Sequence, residues 1–271
     1  MIIRRSLRGS AAALLLVLAA CSSTKEEAYV ERPVEQIYNE ASSLLQQGEY
    51  RRAAQTFEEV DRQHPYSPWA VRAQLMSAYA QYEAQRYDEA INALERFIQL
   101  NPGNERIDYA YYLRALCYYE QIQDPRRDQR VTEQARQTLT EVVQRFPASE
   151  YARDAALKLD LTLDHLAGKE MEVGRYYLRR GQHHAAINRF RRVVEFYQTT
   201  NQVPEALHRL IESYVALGLE PEARITAAVL GHNFPGSEWY TDSYRLMAEG
   251  AAAPPPGDGS WLGRLWRSVF F

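Results

Sequence analysis

Only two cysteines, Cys21 and Cys117, occur in 271 residues, so a disulfide framework is excluded as the source of stability. Long hydrophobic runs are missing too. The longest uninterrupted apolar stretch, residues 11–20, falls well short of the roughly 20 residues that span a bilayer. There is no excess of basic charge: 32 Lys and Arg stand against 35 Asp and Glu, which removes the cationic footprint of a nucleic-acid binder. Catalytic signatures are equally scarce. The chain has no GxSxG elbow, no phosphate-binding loop and no dinucleotide fingerprint. Its histidines (His64, His165, His183, His184, His208 and His232) include no i, i+4 pair enclosing a glutamate, and the adjacent His183 and His184 make a poor metal clamp. These absences predict a chain that is not an enzyme and holds neither metal nor soluble cofactor. With 46% hydrophobic residues it still has the means to build a core.

The amino end is what that chain does have. Arg4, Arg5 and Arg8 precede the apolar stretch, which closes on Leu18-Ala19-Ala20-Cys21. A basic start, an apolar middle and small residues at the end make a secretory signal. A cysteine at the cleavage point resembles the lipobox of bacterial lipoproteins. The resemblance implies cleavage before Cys21, with an S-diacylglycerol and an N-palmitoyl group on that residue. Ser22 follows, where an aspartate would imply inner-membrane retention, so the periplasmic face of the outer membrane is expected. Residues 21–33 then read as a polar tether, and loss of residues 1–20 leaves a net charge near −6.

A repeat occupies most of the remainder. Ala53, Phe57 and Pro65 recur as Ala90, Leu94 and Pro102, as Ala135, Leu139 and Pro147, and as Ala223, Ala227 and Pro235. A further copy has Ala186 and Phe190 but Gln198 in the proline position. Gly48, Gly181 and Gly218 stand five residues before their alanines. Each element has a physical role. The glycine ends a helix in a left-handed turn, the alanine admits a neighbouring helix, and the residue four later fills the same face. The proline stops the second helix. This order resembles the tetratricopeptide repeat, although its first-helix Trp and Leu-Gly are absent. The predicted fold is therefore all-α, a solenoid of five helix pairs in two lobes. Residues 34–148 would hold pairs one to three, and residues 149–248 a long connecting helix with pairs four and five. That connector is either continuous or broken near Gly168, with Ser149 as its cap. Residues 121–130 read as a charged loop inserted in the third pair. Cys117 reads as a small, inert core residue.

The first helix of each pair lines the concave side of such a solenoid. Its inward positions give Glu35, Tyr38, Ser42 and Leu45 in the first unit. The second gives Arg72, Leu75, Tyr79 and Tyr82, and the third Tyr109, Tyr112, Leu116 and Tyr119. Tyrosine outnumbers phenylalanine 19 to 8, and its ring with a polar end suits a wet surface that grips apolar side chains. A peptide groove is expected at Tyr38, Ser42, Arg72, Tyr79, Tyr82, Tyr109, Tyr112 and Tyr119. The plain alternative is that these rings pack between helices.

Several stretches carry a closer likeness: Glu35-Gln36-Ile37-Tyr38-Asn39-Glu40-Ala41, Arg96-Phe97-Ile98-Gln99-Leu100-Asn101-Pro102, Ile107-Asp108-Tyr109, and Tyr176-Tyr177 with Ala186-Ile187-Asn188-Arg189. Together with the lipobox they resemble the BamD (YfiO, ComL) family of outer-membrane assembly lipoproteins. The resemblance implies a scaffold that recognises unfolded outer-membrane β-barrel proteins. It also implies docking on the periplasmic domains of BamA, the barrel-forming subunit, alongside other subunits of the machine. Arg189 falls where that family has an arginine tied to the BamA contact. Gln198 and the short loop at residues 121–130 depart from the family pattern, and the former predicts an altered turn. The alternatives are a pilotin-type lipoprotein for pilus assembly and an envelope enzyme or wall-binding protein.

Residues 249–260 read as a Pro/Gly linker ahead of residues 261–271. On a helix Trp261, Leu262, Leu265, Trp266, Val269 and Phe270 would share one face, with Arg264 and Arg267 opposite. A membrane-surface helix, a partner-docking element centred on Trp261, Leu265, Trp266 and Phe270, and an unstructured tail all fit this pattern. Deleting residues 251–271 is expected to weaken either vesicle flotation or complex co-purification. Unchanged behaviour in both assays removes the two functional roles.

Overall fold

The computed structural model describes residues 31–250, and eleven helices with no strand make up that span. They are α1 (Val34–Gln46), α2 (Tyr50–Gln63), α3 (Pro68–Glu83), α4 (Tyr87–Leu100), α5 (Ile107–Tyr119) and α6 (Arg130–Arg145). There follow α7 (Ala152–Arg179), α8 (His183–Phe196), α9 (Val203–Ala216), α10 (Glu220–Asn233) and α11 (Glu238–Gly250). Each helix from α1 to α10 packs against the next, so ten helices form five antiparallel pairs and α11 covers the end of the stack against α9 and α10. No described helix is long and apolar enough to cross a membrane. Cys21 and the tail residues Trp261, Leu265, Trp266 and Phe270 lie outside the described residues.

The repeated alanines sit where helices come closest. Ala53, Ala90, Ala135, Ala186 and Ala223 are completely buried, as are Phe57, Leu94, Leu139 and Phe190 four residues on. Only Ala227, the smallest residue at that second position, stays partly accessible. Gly48, Gly181 and Gly218 take φ of 78°, 67° and 71°, the left-handed turn that a Cβ opposes. Gln85 makes the same turn between α3 and α4 at φ 58°, without glycine. Its turn is closed by Arg86 N–H donating to the Gln81 carbonyl at 2.9 Å, as Glu49 N–H does to Leu44.

The second helices end alike. His64, Asn101, Phe146 and Phe234 have φ near −130° and ψ of 51° to 57°, ahead of Pro65, Pro102, Pro147 and Pro235. Tyr197 adopts φ −130° and ψ 43° ahead of Gln198. The altered turn expected at Gln198 is thus absent. The hydrogen bond from Tyr197 N–H to the Val193 carbonyl at 3.0 Å sets this exit geometry, and proline merely suits it. Ser67, Ser149 and Ser237 each accept a hydrogen bond from the amide two residues on, at 3.2 Å, as α3, α7 and α11 begin.

Helix α7 is continuous over 28 residues and runs through Gly168. It packs on α6 on one side and on α8 on the other, serving as connector and as first helix of the fourth pair. Its Ala155 belongs to the core shared with α5 and α6, whereas Ala167 and Met171 belong to the core built with α8 to α11. Pro125 from the inserted loop rests on Gly168, and Lys169 Nζ donates to the Arg126 carbonyl at 3.3 Å. Cys117 is fully buried and free, and burial pushes its thiol up to about 12.

Gly174 marks the tightest approach within the fourth pair. A Cβ placed there would stand 2.4 Å from the ring of Phe190, which is itself fully buried. Gly174→Ala is expected to destabilise the protein by about 1–3 kcal/mol through overpacking, measured as a lower urea midpoint followed by circular dichroism. Phe190→Leu in the same chain should restore part of the loss.

Candidate functional site

The first helices α1, α3, α5 and α7 bring most of the candidate residues to one surface. A cleft of about 610 Å³ lies between α1, α3 and α5, lined by Tyr38, Arg72, Leu75, Met76, Arg106 and Tyr109 among others. Tyr38 forms its inner wall, held by Phe57 at 5.3 Å and Trp69 at 4.8 Å between ring centroids. Arg72 is exposed at the rim and has no ion-pair partner among the described residues. Leu75 closes the floor and is nearly buried.

From the cleft onward, further tyrosines follow along α3 and α5 to the start of α7. Tyr79 and Tyr82 come from α3, and Tyr82 lies 5.8 Å from Tyr87. Tyr109 and Tyr112 from α5 both meet Tyr151, at 5.2 Å and 5.0 Å, the second pair nearly parallel at 19°. The Tyr112 hydroxyl donates to Asp154 Oδ2. This bond holds the Asp154 carboxyl below the usual carboxylate range, and burial with Asp154 raises the Tyr112 phenol. Burial likewise raises Tyr79, Tyr109 and Tyr82, the last to about 12. These hydroxyls stay neutral at physiological pH, that of Tyr112 with its proton committed to Asp154. Lys158 Nζ stands 5.4 Å from the centre of the Tyr119 ring, at the far end of α5.

Two candidates lie elsewhere. The Ser42 hydroxyl donates to the Tyr38 carbonyl one turn back and does not line the cleft. Arg189 is on α8, a second helix, and pairs with Glu170 of α7 at 3.1 Å, with Arg192 on the other oxygen at 3.4 Å. Tyr151, Asp154 and Lys158 were not among the sequence candidates. Their signal was available: the spacing that selects Tyr109, Tyr112 and Leu116 in the third unit selects these three when α7 is counted from Glu150.

Counted the same way, α9 presents Gln202, Glu205, Arg209 and Glu212, and the character of the surface changes. Arg175 of α7 grips Glu205 with two bonds, at 2.9 Å and 2.5 Å, and reaches Glu172 at 2.8 Å. Arg209 bonds Glu212 at 2.7 Å and lies over the Trp239 ring at 5.2 Å. Burial pushes the Glu205 carboxyl up, but Arg175 and Arg209 outweigh it and hold the group below its ordinary value. Next to this network His208 is buried between α9 and α11. Its Nδ1 meets Ser243 Oγ at 2.8 Å, and its Nε2 stands 3.9 Å from Glu212. No cluster of three metal-ligating side chains occurs among the described residues.

A stack of helix pairs with an aromatic cleft along its first helices defines a helical-repeat scaffold of the tetratricopeptide type. The comparisons narrow the class. Residues 30–230 match the YfiO family, described as outer membrane lipoprotein, and the chain belongs to that family. It is 53% identical over 226 residues to the outer membrane protein assembly factor BamD of Caulobacter vibrioides, covering 83% of this chain and 74% of the relative. It is 46% identical to the factor of the same name from Rickettsia prowazekii, over 86% of this chain and 92% of the relative. Among solved structures, a thermophilic tetratricopeptide protein of Thermus thermophilus aligns with 80% of this chain and 98% of its own length, at TM-score 0.37 and 19% identity.

Burial lowers the pKa of His208, with the Glu212 carboxylate opposing and Arg209 assisting. The unfolded chain therefore binds the proton first as pH falls below about 6.5, and this contribution to stability declines with acidification. The urea midpoint is expected to drop between pH 7.5 and pH 5.5, with a smaller drop in His208→Gln, read by Trp fluorescence.

Proposed function

We propose that this protein is a non-enzymatic scaffold of the outer-membrane β-barrel assembly machine. In this reading it is anchored through an acylated Cys21 to the periplasmic face of the outer membrane. Its tyrosine row holds extended segments of unfolded barrel proteins, and its carboxyl half docks on the periplasmic domains of BamA. The observation that carries the reading is the cleft and row from Tyr38 to Tyr151, in a member of a family whose relatives are named assembly factors.

The chemistry suits an unfolded client. A β-strand of a membrane barrel alternates apolar and polar side chains. Phenol rings meet the first by contact, and their protonated hydroxyls offer bonds to the backbone and to the second. Exposed Arg72 gives the cleft a cation for a carboxylate. The paired charges around Glu205 are satisfied within the chain and give the carboxyl half a different, polar surface. Neither relative cited carries a pilus-assembly name, and nothing in the tyrosine row favours that alternative.

The test pairs two readouts. Tyr79→Ala with Tyr82→Ala should reduce photocrosslinking of a barrel-protein peptide at least fivefold, while co-purification with BamA and helical circular dichroism persist. Unchanged crosslinking overturns the groove, and failure of the unaltered protein to co-purify with BamA overturns the assignment to the machine.

A further inference from the structure

The α2–α3 and α4–α5 turns lie on the same edge of the stack and form a joined pair. Gln74 of α3 donates to Asp61 Oδ1 at 2.7 Å and accepts from Asn101 Nδ2 at 3.4 Å, so one side chain ties the end of α2 to the end of α4. From these turns project two large apolar side chains with almost no cover: Tyr66 is 101% exposed and Leu100 is 66% exposed. The opposite edge differs. Its α1–α2 and α3–α4 turns carry Gln47, Gly48 and Glu49, then Ala84, Gln85 and Arg86, with no large exposed apolar side chain in either; only farther along, in the α9–α10 turn, does Leu219 reach 36% exposure.

The amino-terminal segment enters at the edge bearing Tyr66. Arg32 N–H donates to Gln63 Oε1 at 2.9 Å, and its carbonyl meets His64 Nε2 at 2.7 Å, two residues from Tyr66. Arg32 also pairs with Glu40 at 2.7 Å. The chain is thus fastened to this edge before it leaves toward Cys21. Arg32 stands eleven positions after Cys21 in the chain, a reach of at most about 40 Å. The cleft opens here as well, since Asn104, Glu105 and Arg106 at its margin belong to the α4–α5 turn and Pro68 opens α3 directly after the α2–α3 turn.

We infer that this edge lies against a phospholipid surface, with Tyr66 and Leu100 seated at the headgroup boundary and the mouth of the cleft turned toward the bilayer. The inference rests on the anchoring proposed for Cys21. Tyrosine is at home in that boundary, its ring among apolar groups and its hydroxyl in water. Two such side chains hold weakly alone. A nearby anchor keeps them at high local concentration at the surface, and weak contacts then suffice to orient the solenoid. A client delivered from this edge would pass from the tyrosine row to the membrane without crossing the outer layer of second helices.

The experiment supplies the anchor. The chain from Cys21 onward is coupled through that thiol to a maleimide phospholipid, in vesicles of phosphatidylethanolamine and phosphatidylglycerol. Buried Cys117 does not compete. A photoreactive residue replaces Tyr66, Leu100, Gln47 or Asp88 in turn, and lipid adducts are counted by mass spectrometry. At least fivefold more phospholipid adduct is expected at 66 and 100 than at 47 and 88. Equal yields on the two edges, or adducts at 66 and 100 made only to a second copy of the chain, overturn the orientation. Native acylation is read separately, from the mass of the Cys21 peptide in outer membranes, so loss of the anchoring reading is distinguishable from loss of this one.

Discussion

Close helix approach at a buried alanine is the contact on which the rest of this molecule depends. Five such alanines are completely covered, one in each second helix. A methyl group there lets the backbones draw together, and the larger residue a turn later fills the wedge that opens beside it. Each pair can bury only part of its apolar surface, so the next pair is recruited to cover the remainder. The four separate cores along the chain follow from this stepwise burial, each shared between neighbours in sequence. Where α7 meets α8 the same requirement reaches its limit. Even a methyl is too large opposite Phe190, and glycine takes the place.

That architecture frees one side of the first helices. Second helices spend their inward faces on packing, whereas first helices pack from two sides and still present a third. In the amino half this third face is phenolic, and in the carboxyl half it is ionic. Arg175, Glu205 and Arg209 satisfy one another within the chain, while Arg72 at the cleft rim has no ionic partner among the described residues. A surface with its charges already paired is suited to a folded partner. The phenolic face, with Arg72 exposed at its rim, leaves rings and a cation open to solvent.

Much of this was legible in the residues. The alanine-to-proline interval located α2, α4, α6 and α10, because close packing tolerates few residue types and so leaves a strict pattern. First helices obey looser rules, and Tyr151, Asp154 and Lys158 in α7 emerge from the same counting only once its start is set at Glu150, a start hidden by the extra length of that unit. Two turns were harder to foresee. Gln85 occupies a left-handed position usually given to glycine, and Gln198 one usually given to proline, yet both turns keep the common geometry. Backbone hydrogen bonds to the preceding helix set these turns, and such bonds depend little on side-chain identity. The pairing of Arg189 with Glu170 was invisible for a different reason, since it joins two helices that only the fold brings side by side.

Helix α7 also works as a ruler. At 1.5 Å per residue its 28 residues span about 42 Å. The stacked rings at Tyr151 stand at one end and the ionic grip of Arg175 near the other, on a rod stiffened by every backbone bond between them. Whatever occupies the phenolic face and whatever occupies the ionic face are therefore kept a set distance apart.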